Sequence, residues 1–501
     1  MPLFKKPIEQ EFFSLRLRAG RPMTELEFYA RELTDWETSP ERREMIDGDR
    51  YYTGDHDILK RQRTAIGPDG KLITIENLPN NRIVDNQYAK HVDQKTNYLL
   101  GQPISFSCEN NDYAAEVKKV LGMRFMRTLK SAGVECLNAG ISWLYPYYNK
   151  NGELAFRVFP GYEIMPFWAD AAHTELDSAL RLYPVEVYYG TEKKIVKKVD
   201  LFTLEGVTTY IFENGVLTPG TEKQAYVKVK DNKGNEQPLN WERFPLIPIK
   251  YNPKEVPLIR RGRSLQDAIN LLQSDFVNNM EEDVRNTVLV LKNYDGQDLG
   301  EFRRNLTTYG AIKVRTVEGT DGGVDSLEIS VNSENYKTVL ELLKKALIEN
   351  LRSYDAKDDR LSGTPNQMNI QSMYCDIDLD ANAMETELQA SFEEILWFVN
   401  TYLANTGKGS YESEDITVIF NRDILINESE AIDNCSKSVG IISDETIVAM
   451  HPWVDDPAAE LERLEKQKEE TDPYRAAFEQ AQALRLSLIH ISEPTRPERI
   501  S

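Results

Sequence analysis

The hydrophobic period of this chain changes twice within roughly ninety residues, and that double change limits the architecture more than any other feature. From Ser264 to about 284, Leu265, Ile269, Leu272, Phe276 and Met280 recur at helical spacing, opened by Ser264-Leu265-Gln266-Asp267 in the manner of a capping box. Between 287 and 331 the pattern becomes short strands, "TVLVLKN", "AIKVR" and "VDSLEIS", separated by turns at Tyr294-Asp295-Gly296 and Asp321-Gly322-Gly323. From 333 to 353 the helical spacing returns, with Val339, Leu342, Leu343, Ala346, Leu347 and Leu351 on one face. A helix of about 21 residues spans roughly 31 Å, so the sequence predicts a small β module carried between two long helices. The stretch "YDAKDDRLSGTPNQMN" (354–369) follows, and then the longest helical pattern, from about Ile370 to Asn405. A helix connection normally takes about 2–8 residues, so this polar loop is too long for closure alone.

The remainder reads as α+β. Residues 24–64 are helical in pattern, opened by Thr24-Glu25-Leu26-Glu27 and broken at Gly54. In "NNRIVDNQYAKHVDQKTNYLLG", Ile83, Tyr88, His91, Val92, Lys95, Tyr98 and Leu99 form one helical stripe, with Gly101 placed to end it. One more helix is expected from 114 to 138. The period then falls to two: "SWLYPYYNKNGELAFRVFP" is a hairpin around Asn149–Gly152, and antiparallel strands continue to about 252. After the long helix come one strand, "DITVIF", and a helical end in which Ser443 caps one helix and Pro457 opens another.

Several functions are excluded by what is missing. No run reaches the roughly 18 apolar residues of a membrane helix, and "MPLFKKPIEQEFF" lacks the apolar core of a signal peptide. No membrane association is expected, and a cytosol-like compartment is. There is no P-loop, no G-x-S-x-G and no H-E-x-x-H, so the chain reads as no enzyme and no cofactor is expected. "NTGKGS" (405–410) reads as a helix end. The four cysteines make no C-x-x-C and are expected to be buried thiols. "DIDLD" puts Asp376 and Asp380 on one helix face; we expect a solvated or ion-paired face, with metal binding as the alternative. The tail "LSLIHISEPTR" (486–496) resembles a translated sequencing adapter, so 486–501 are set aside as read-through and the native C-terminus is expected to lie elsewhere.

Five segments, in order, resemble SPP1-type phage portal proteins, the head-tail connector family. They are "DGDRYYTGDHDILKRQR"; "VDQKTNYLLGQPISF" with the preceding "NNRIVDNQYAK"; "LVLKNYDGQDLGEFRRNL"; "DIDLDANAMETELQASFEEILWFVNTYLANTGKG"; and "ISDETIVAMHPWVDDPAAELERLEKQ". The resemblance covers about 45 to 470. It implies a ring oligomer, usually of twelve copies, with an axial channel at one capsid vertex. By the same resemblance, residues 1–23 are an N-terminal arm, 24–255 and 370–427 the wing, and 256–284 and 333–353 the stem helices. The clip is then 285–332, the tunnel loop 354–369 and the crown 428–485. The implied function is passage of double-stranded DNA during packaging and ejection. The implied partners are the terminase large subunit, the major capsid and scaffolding proteins, and a head-completion adaptor.

Site expectations follow from that frame. The tunnel loop would present Asp355, Lys357, Asp358, Asp359, Arg360, Ser362, Gly363 and Asn366 to DNA. The clip would offer Asn293, Tyr294, Asp295, Arg303 and Arg304 to partners. The chain departs from the family at Ser362-Gly363-Thr364-Pro365-Asn366, where Pro365 delays the helix restart to about Asn369 or Ile370. Arg260, Arg261 and Arg263 are expected to pair with a neighbouring subunit or meet DNA, and "KKIVKK" (193–198) to be a solvated face. The net charge of −21, from 60 basic and 81 acidic residues, argues against a simple DNA-gripping surface. An acidic wall suits a channel, where a strong contact would stall the moving polymer. The competing readings are a metal-dependent nuclease built on the 376–380 aspartates and a structural adaptor ring with no DNA passage.

Overall fold

The computed structural model describes residues 23–66, 70–74, 78–230, 236–283, 288–292, 323–327, 333–355, 367–411, 413–422, 428–454 and 457–471. They divide into two compact units, one drawn from 1–354 and 376–423, the other from 355–375 and 424–501. Among the described residues no helix is long and apolar enough to cross a membrane.

The first unit opens with α1 (Glu25–Glu37) and α2 (Pro40–Thr53). At α1 the Thr24 side chain accepts from the Glu27 N–H while Glu27 reaches back to the Thr24 N–H, so the capping box forms as the sequence predicts. Pro40 starts a second helix after Ser39, which splits the expected single one, and Gly54 closes it in the left-handed conformation. A short ribbon of β1 (Thr64–Ile66) and β2 (Leu72–Thr74) leads to α3 (Gln87–Leu100). Gly101 ends α3 with φ −77°, a right-handed value, so its expected left-handed cap does not form.

After β3 (Ser105–Ser107) the helical stretch is two helices, α4 (Asn111–Val120) and α5 (Met123–Ala139), because Gly122 turns extended between them. The hairpin of β4 (Ile141–Tyr148) and β5 (Leu154–Phe159) forms around Asn149, whose side chain accepts from the Asn151 and Glu153 N–H groups. Gly140 links α5 to β4 at φ +83°, and a Cβ there would sit 2.2 Å from the Glu255 carbonyl oxygen, so only glycine fits.

Beyond it lie β6 (Ile164–Trp168), β7 (Leu176–Tyr189), β8 (Glu192–Thr203), β9 (Gly206–Glu213) and β10 (Val216–Pro219), a five-stranded antiparallel sheet in the order β10-β9-β8-β7-β6. The hairpin of β11 (Val227–Lys230) and β12 (Glu236–Leu239) follows, and β13 (Ile247–Lys250) completes a three-stranded sheet, β13-β4-β5. Helix α1 lays Phe28, Tyr29 and Leu33 on the large sheet against Phe167, Leu180 and Val199. Trp143 and Trp168 stack at 5.7 Å and join the two sheets. In "KKIVKK", Lys193, Lys194 and Lys197 pair with Glu186, Glu192 and Glu37, and only Val196 is buried.

The two long helices are α6 (Ile259–Asp283) and α7 (Ser333–Asn350). Helix α6 begins five residues before the expected start, so Ser264 is interior rather than a cap. The pair is an antiparallel hairpin: Phe276 stacks on Tyr336 at 3.9 Å, and Gly262 faces Leu347 and Leu351 so closely that a Cβ would meet Leu351 Cδ2 at 2.9 Å. Beyond it, β14 (Val288–Lys292) pairs antiparallel with β15 (Gly323–Leu327). The expected strand at 311–315, the clip residues Asn293, Tyr294, Asp295, Arg303 and Arg304, and residues 486–501 all lie outside the described residues.

The most buried stripe of α6 is polar. Gln266, Asn270, Ser274 and Asn278, four apart, are fully buried. They take up the backbone of an extended segment running beside them and of the first turn of α3 that follows it. The N–H groups of Asn81, Ile83, Asp85 and Tyr88 donate to Asn278 (2.7 Å), Ser274 (2.9 Å), Asn270 (3.0 Å) and Gln266 (2.9 Å). Four helical residues rise about 6.0 Å and two extended ones about 6.6 Å, so every fourth helix position meets about every second strand position. Of the expected apolar stripe, Ile269 is buried, but Met280 is 56% exposed, and on α7 Leu342 is 62% exposed.

The long helix α8 (Gln367–Asn405) starts two residues after Pro365, earlier than the sequence suggests. It buries Phe392, Ile395, Val399 and Tyr402, with Leu396 and Trp397 half-buried. It ends at Asn405, and Gly407 is left-handed, so "NTGKGS" is a helix terminus. Strand β16 (Thr417–Ile419) pairs with β3. The second unit holds α9 (Glu428–Ser438), α10 (Asp444–Ala449) and α11 (Pro457–Thr471). Ser443 caps α10 by accepting from the Thr446 N–H. Cys136 and Cys435 are buried, whereas Cys375 is exposed, against expectation.

Replacing Asn270 by leucine strips the acceptor from the Asp85 N–H and the amide donor from His56 Nδ1. We expect a loss of roughly 2–4 kcal/mol in denaturant unfolding. A Leu271→Asn change on the exposed side should cost under about 0.5 kcal/mol.

Candidate functional site

The charged centre of the first unit is built where three distant segments meet. Lys95 stands on the buried stripe of α3, and its ammonium cannot reach water from there. Its Nζ donates to Asp380 Oδ2 at 2.7 Å and to the Arg352 carbonyl at 3.0 Å. Asp380, on α8, also accepts from the Tyr251 hydroxyl at 2.7 Å and from Arg261 at 3.3 Å, with Arg352 at 3.8 Å. Both side chains are almost closed to solvent, 4% and 7% exposed. Burial alone would push the Asp380 carboxyl up; the Lys95 ammonium and the Tyr251 hydroxyl reverse that and hold it below the usual carboxylate range.

The Arg352 carbonyl matters because of where it lies. Helix α7 ends at Asn350, and Arg352 turns left-handed at φ +50°. The Ser353 N–H returns to the Ile348 carbonyl, and Gln94 donates to the Tyr354 carbonyl at 3.3 Å. Helix α3 therefore grips the chain over its last residues before the 354–369 stretch. Of the expected loop residues, Asp355 is half-buried; Lys357, Asp358, Asp359, Arg360, Ser362, Gly363 and Asn366 lie outside the described residues.

The "DIDLD" aspartates do not share one environment. Asp376 is exposed, Asp380 is buried in the charged centre, and Asp378 accepts from Tyr98 at 3.0 Å and pairs with Arg422. The ion-paired reading holds for Asp378 and Asp380. Among the described residues no three acidic, His or Cys side chains converge as metal ligands. The basic cluster is engaged within its own chain: Arg260 with Glu44 at 2.7 Å, Arg261 with Asp380, and Arg263 with Asp47 and Asp57, each at 2.7 Å. These arginines lie in the first turns of α6, not before it.

Sequence reasoning missed Lys95 as a site residue, although it placed Lys95 on an apolar stripe. A lysine on a stripe headed for the core demands a buried carboxylate, and that was the available signal. Tyr251 and Arg352 gave none.

The family described as "Phage portal protein, SPP1 Gp6-like" matches residues 37–474. The portal protein of Bacillus phage SPP1 is 30% identical over 432 residues, which cover 84% of this chain and 83% of that protein. The portal protein of Clostridium phage phiCD119 is 28% identical over 435 residues, covering 84% and 92%. A solved chain from "Neck of empty GTA particle computed with C6 symmetry" aligns with 12% identity and a TM-score of 0.35, over 72% of this chain and 87% of that one, a likeness too loose to bear on the fold. The chain belongs to the SPP1 Gp6-like phage portal protein family, a structural rather than an enzymatic one.

Exchanging Lys95 for methionine leaves Asp380 buried without its main counter-charge. We expect destabilisation of about 3–5 kcal/mol and faster amide exchange over 350–355; adding Asp380→Leu should restore part of the loss. Because folding lowers the Asp380 pKa, its contribution is in place above the unfolded value of about 3.9 and drains as pH falls through the folded value. The acid limb of the stability profile should therefore be shallower in the double variant.

Proposed function

We propose that this chain is the subunit of a ring at one vertex of a tailed-phage capsid, through whose axial channel double-stranded DNA is packaged and later ejected. The family match over 37–474 carries the reading. Further support comes from the α6–α7 hairpin, where Leu271, Met280, Val339 and Leu342 are between 44% and 62% exposed. Exposed apolar side chains on more than one side of a long hairpin are covered when copies stand side by side.

The regions follow from the same reading: wing for 24–255 and 370–427, stem for 256–284 and 333–353, which hold α6 and α7, clip for 285–332 with β14 and β15 at its base, and crown for 428–485. The clip takes the packaging ATPase and the head-completion adaptor, and the outer regions take capsid and scaffolding proteins. The 354–369 stretch is the tunnel loop, anchored at its upstream end by Lys95 and Gln94. The channel wall is acidic, so contacts with the backbone stay sparse and the polymer slides. A nuclease acting through the 376–380 aspartates is disfavoured, because Asp378 and Asp380 are already neutralised by Arg422 and Lys95.

Negative-stain images of the purified protein should show a ring with an axial hole; a compact monomer at micromolar concentration would overturn the proposal. Shortening 357–366 should leave rings intact but impair DNA packaging. Normal packaging by such a ring would remove the loop assignment while leaving the ring in place.

A further inference from the structure

The acidic chain carries a concave surface of the opposite sign. Between the first turns of α5 and the β4–β5 hairpin lies a cavity of about 980 Å³. Lys119, Arg124, Arg127, Arg157 and Lys408 line it, and Glu153 is the one acidic residue among the lining. Glu116 neutralises Lys119 and Lys408, at 3.6 and 3.5 Å. Arg124 and Arg127 are exposed and have no carboxylate within ion-pair distance among the described residues, and Arg157 rests on the Tyr147 ring at 5.0 Å. Among the described residues most other arginines of the first unit are spent on carboxylates, as the α6 cluster shows.

These cations stand where local physics disfavours them. Helix α5 has no acidic residue in its first turn and no side-chain cap at Gly122. Its partial positive end adds to the guanidinium groups instead of being offset. Around them the lining is mixed: Val120, Phe156 and Val158 line the cavity beside Thr128, Ser131 and Asn149, and Met123 projects at 77% exposure.

We propose that this groove docks an acidic, amphipathic peptide segment of a partner protein. Apolar side chains of the peptide would lie against Met123 and Phe156, and its carboxylates would take the forks of Arg124, Arg127 and Arg157. Nucleic acid fits less well. A duplex is a stiff convex rod on this scale and does not enter such a cavity. A single strand needs open aromatic faces, and here Arg157 covers Tyr147, Lys408 covers Tyr402, and Phe156 meets Phe125 edge-on at 5.2 Å.

Fluorescence anisotropy with the full chain tests this, using three labelled probes of about sixteen units. The first is a peptide of glutamate and leucine at helical spacing, the second the same peptide with lysine for glutamate, and the third oligo-deoxythymidine. The acidic peptide should bind, and more weakly as salt rises. Its affinity should fall at least tenfold in Arg124→Glu/Arg127→Glu, fall in Met123→Asp, whose exposed site spares the fold, and rise in Glu153→Gln. Four outcomes would overturn the proposal. The double variant could bind the acidic peptide as the parent does, or the parent could fail to bind it. Oligo-deoxythymidine could bind as tightly, which assigns the groove to nucleic acid. The double variant could lose its oligomeric mass in light scattering, which assigns the groove to a second copy of this chain. Peptide binding is read whether or not rings form, so failure here is separable from failure of the channel assignment.

Discussion

The Lys95–Asp380 pair is the constraint on which the first unit hangs. It joins residues 285 apart in sequence, and through the Arg352 carbonyl it adds the end of α7. A buried ion pair is a poor source of net stability, because desolvation cancels much of the attraction, but breaking half of it is costly. Its effect is therefore on register. Helix α8 can slide along α3 only by leaving a charge in the core, so the end of α7 and the start of the 354–369 stretch are held at one position relative to the sheets.

The α6 stripe solves a related problem with uncharged groups. Residues 81–88 form no strand, yet several of their N–H groups are inside the protein, and an unpaired buried N–H is expensive. The amide and hydroxyl side chains at 266, 270, 274 and 278 supply the acceptors that a neighbouring strand would have supplied. The coincidence of rises makes this possible over three rungs, the first turn of α3 supplies a fourth at Tyr88, and His56 and Gln273 extend it sideways.

How much of this was legible depends on the kind of force involved. Local rules were readable: the Thr24 capping box, the Ser443 cap, Pro457 at a helix start and the Asn149 turn all form from neighbours in sequence. The hairpin of α6 and α7 with its β insert was readable from period alone, and the family from five ordered segments. Boundaries were less so, since α6 gains five residues before Ser264 and Gly122 splits a helix the pattern joins. What stayed hidden was long-range pairing. Nothing near Arg261 or Arg263 in the sequence announces Asp380, Asp47 or Asp57, and the apolar stripe of α6 drew notice away from its polar one. For the loop, the sequence reading reached its composition, while its anchoring by Gln94 and Lys95 needed coordinates.

The hairpin is inverted along one stripe: it buries Ile269 and Leu347, yet its most buried row on α6 is polar and several of its large apolar side chains are exposed. Helix α6 turns its amides inward and leaves Leu271 and Met280 facing out, while α7 buries Leu347 but leaves Val339 and Leu342 facing out. A chain built this way has two fates after synthesis, and both bury the same side chains: ordered closure with its own kind, or disordered clumping. The first is a geometric match that needs a full set of copies, and the second needs only concentration. The rate at which the host makes this chain, relative to the rate at which copies find their proper neighbours, then decides the yield of usable vertices.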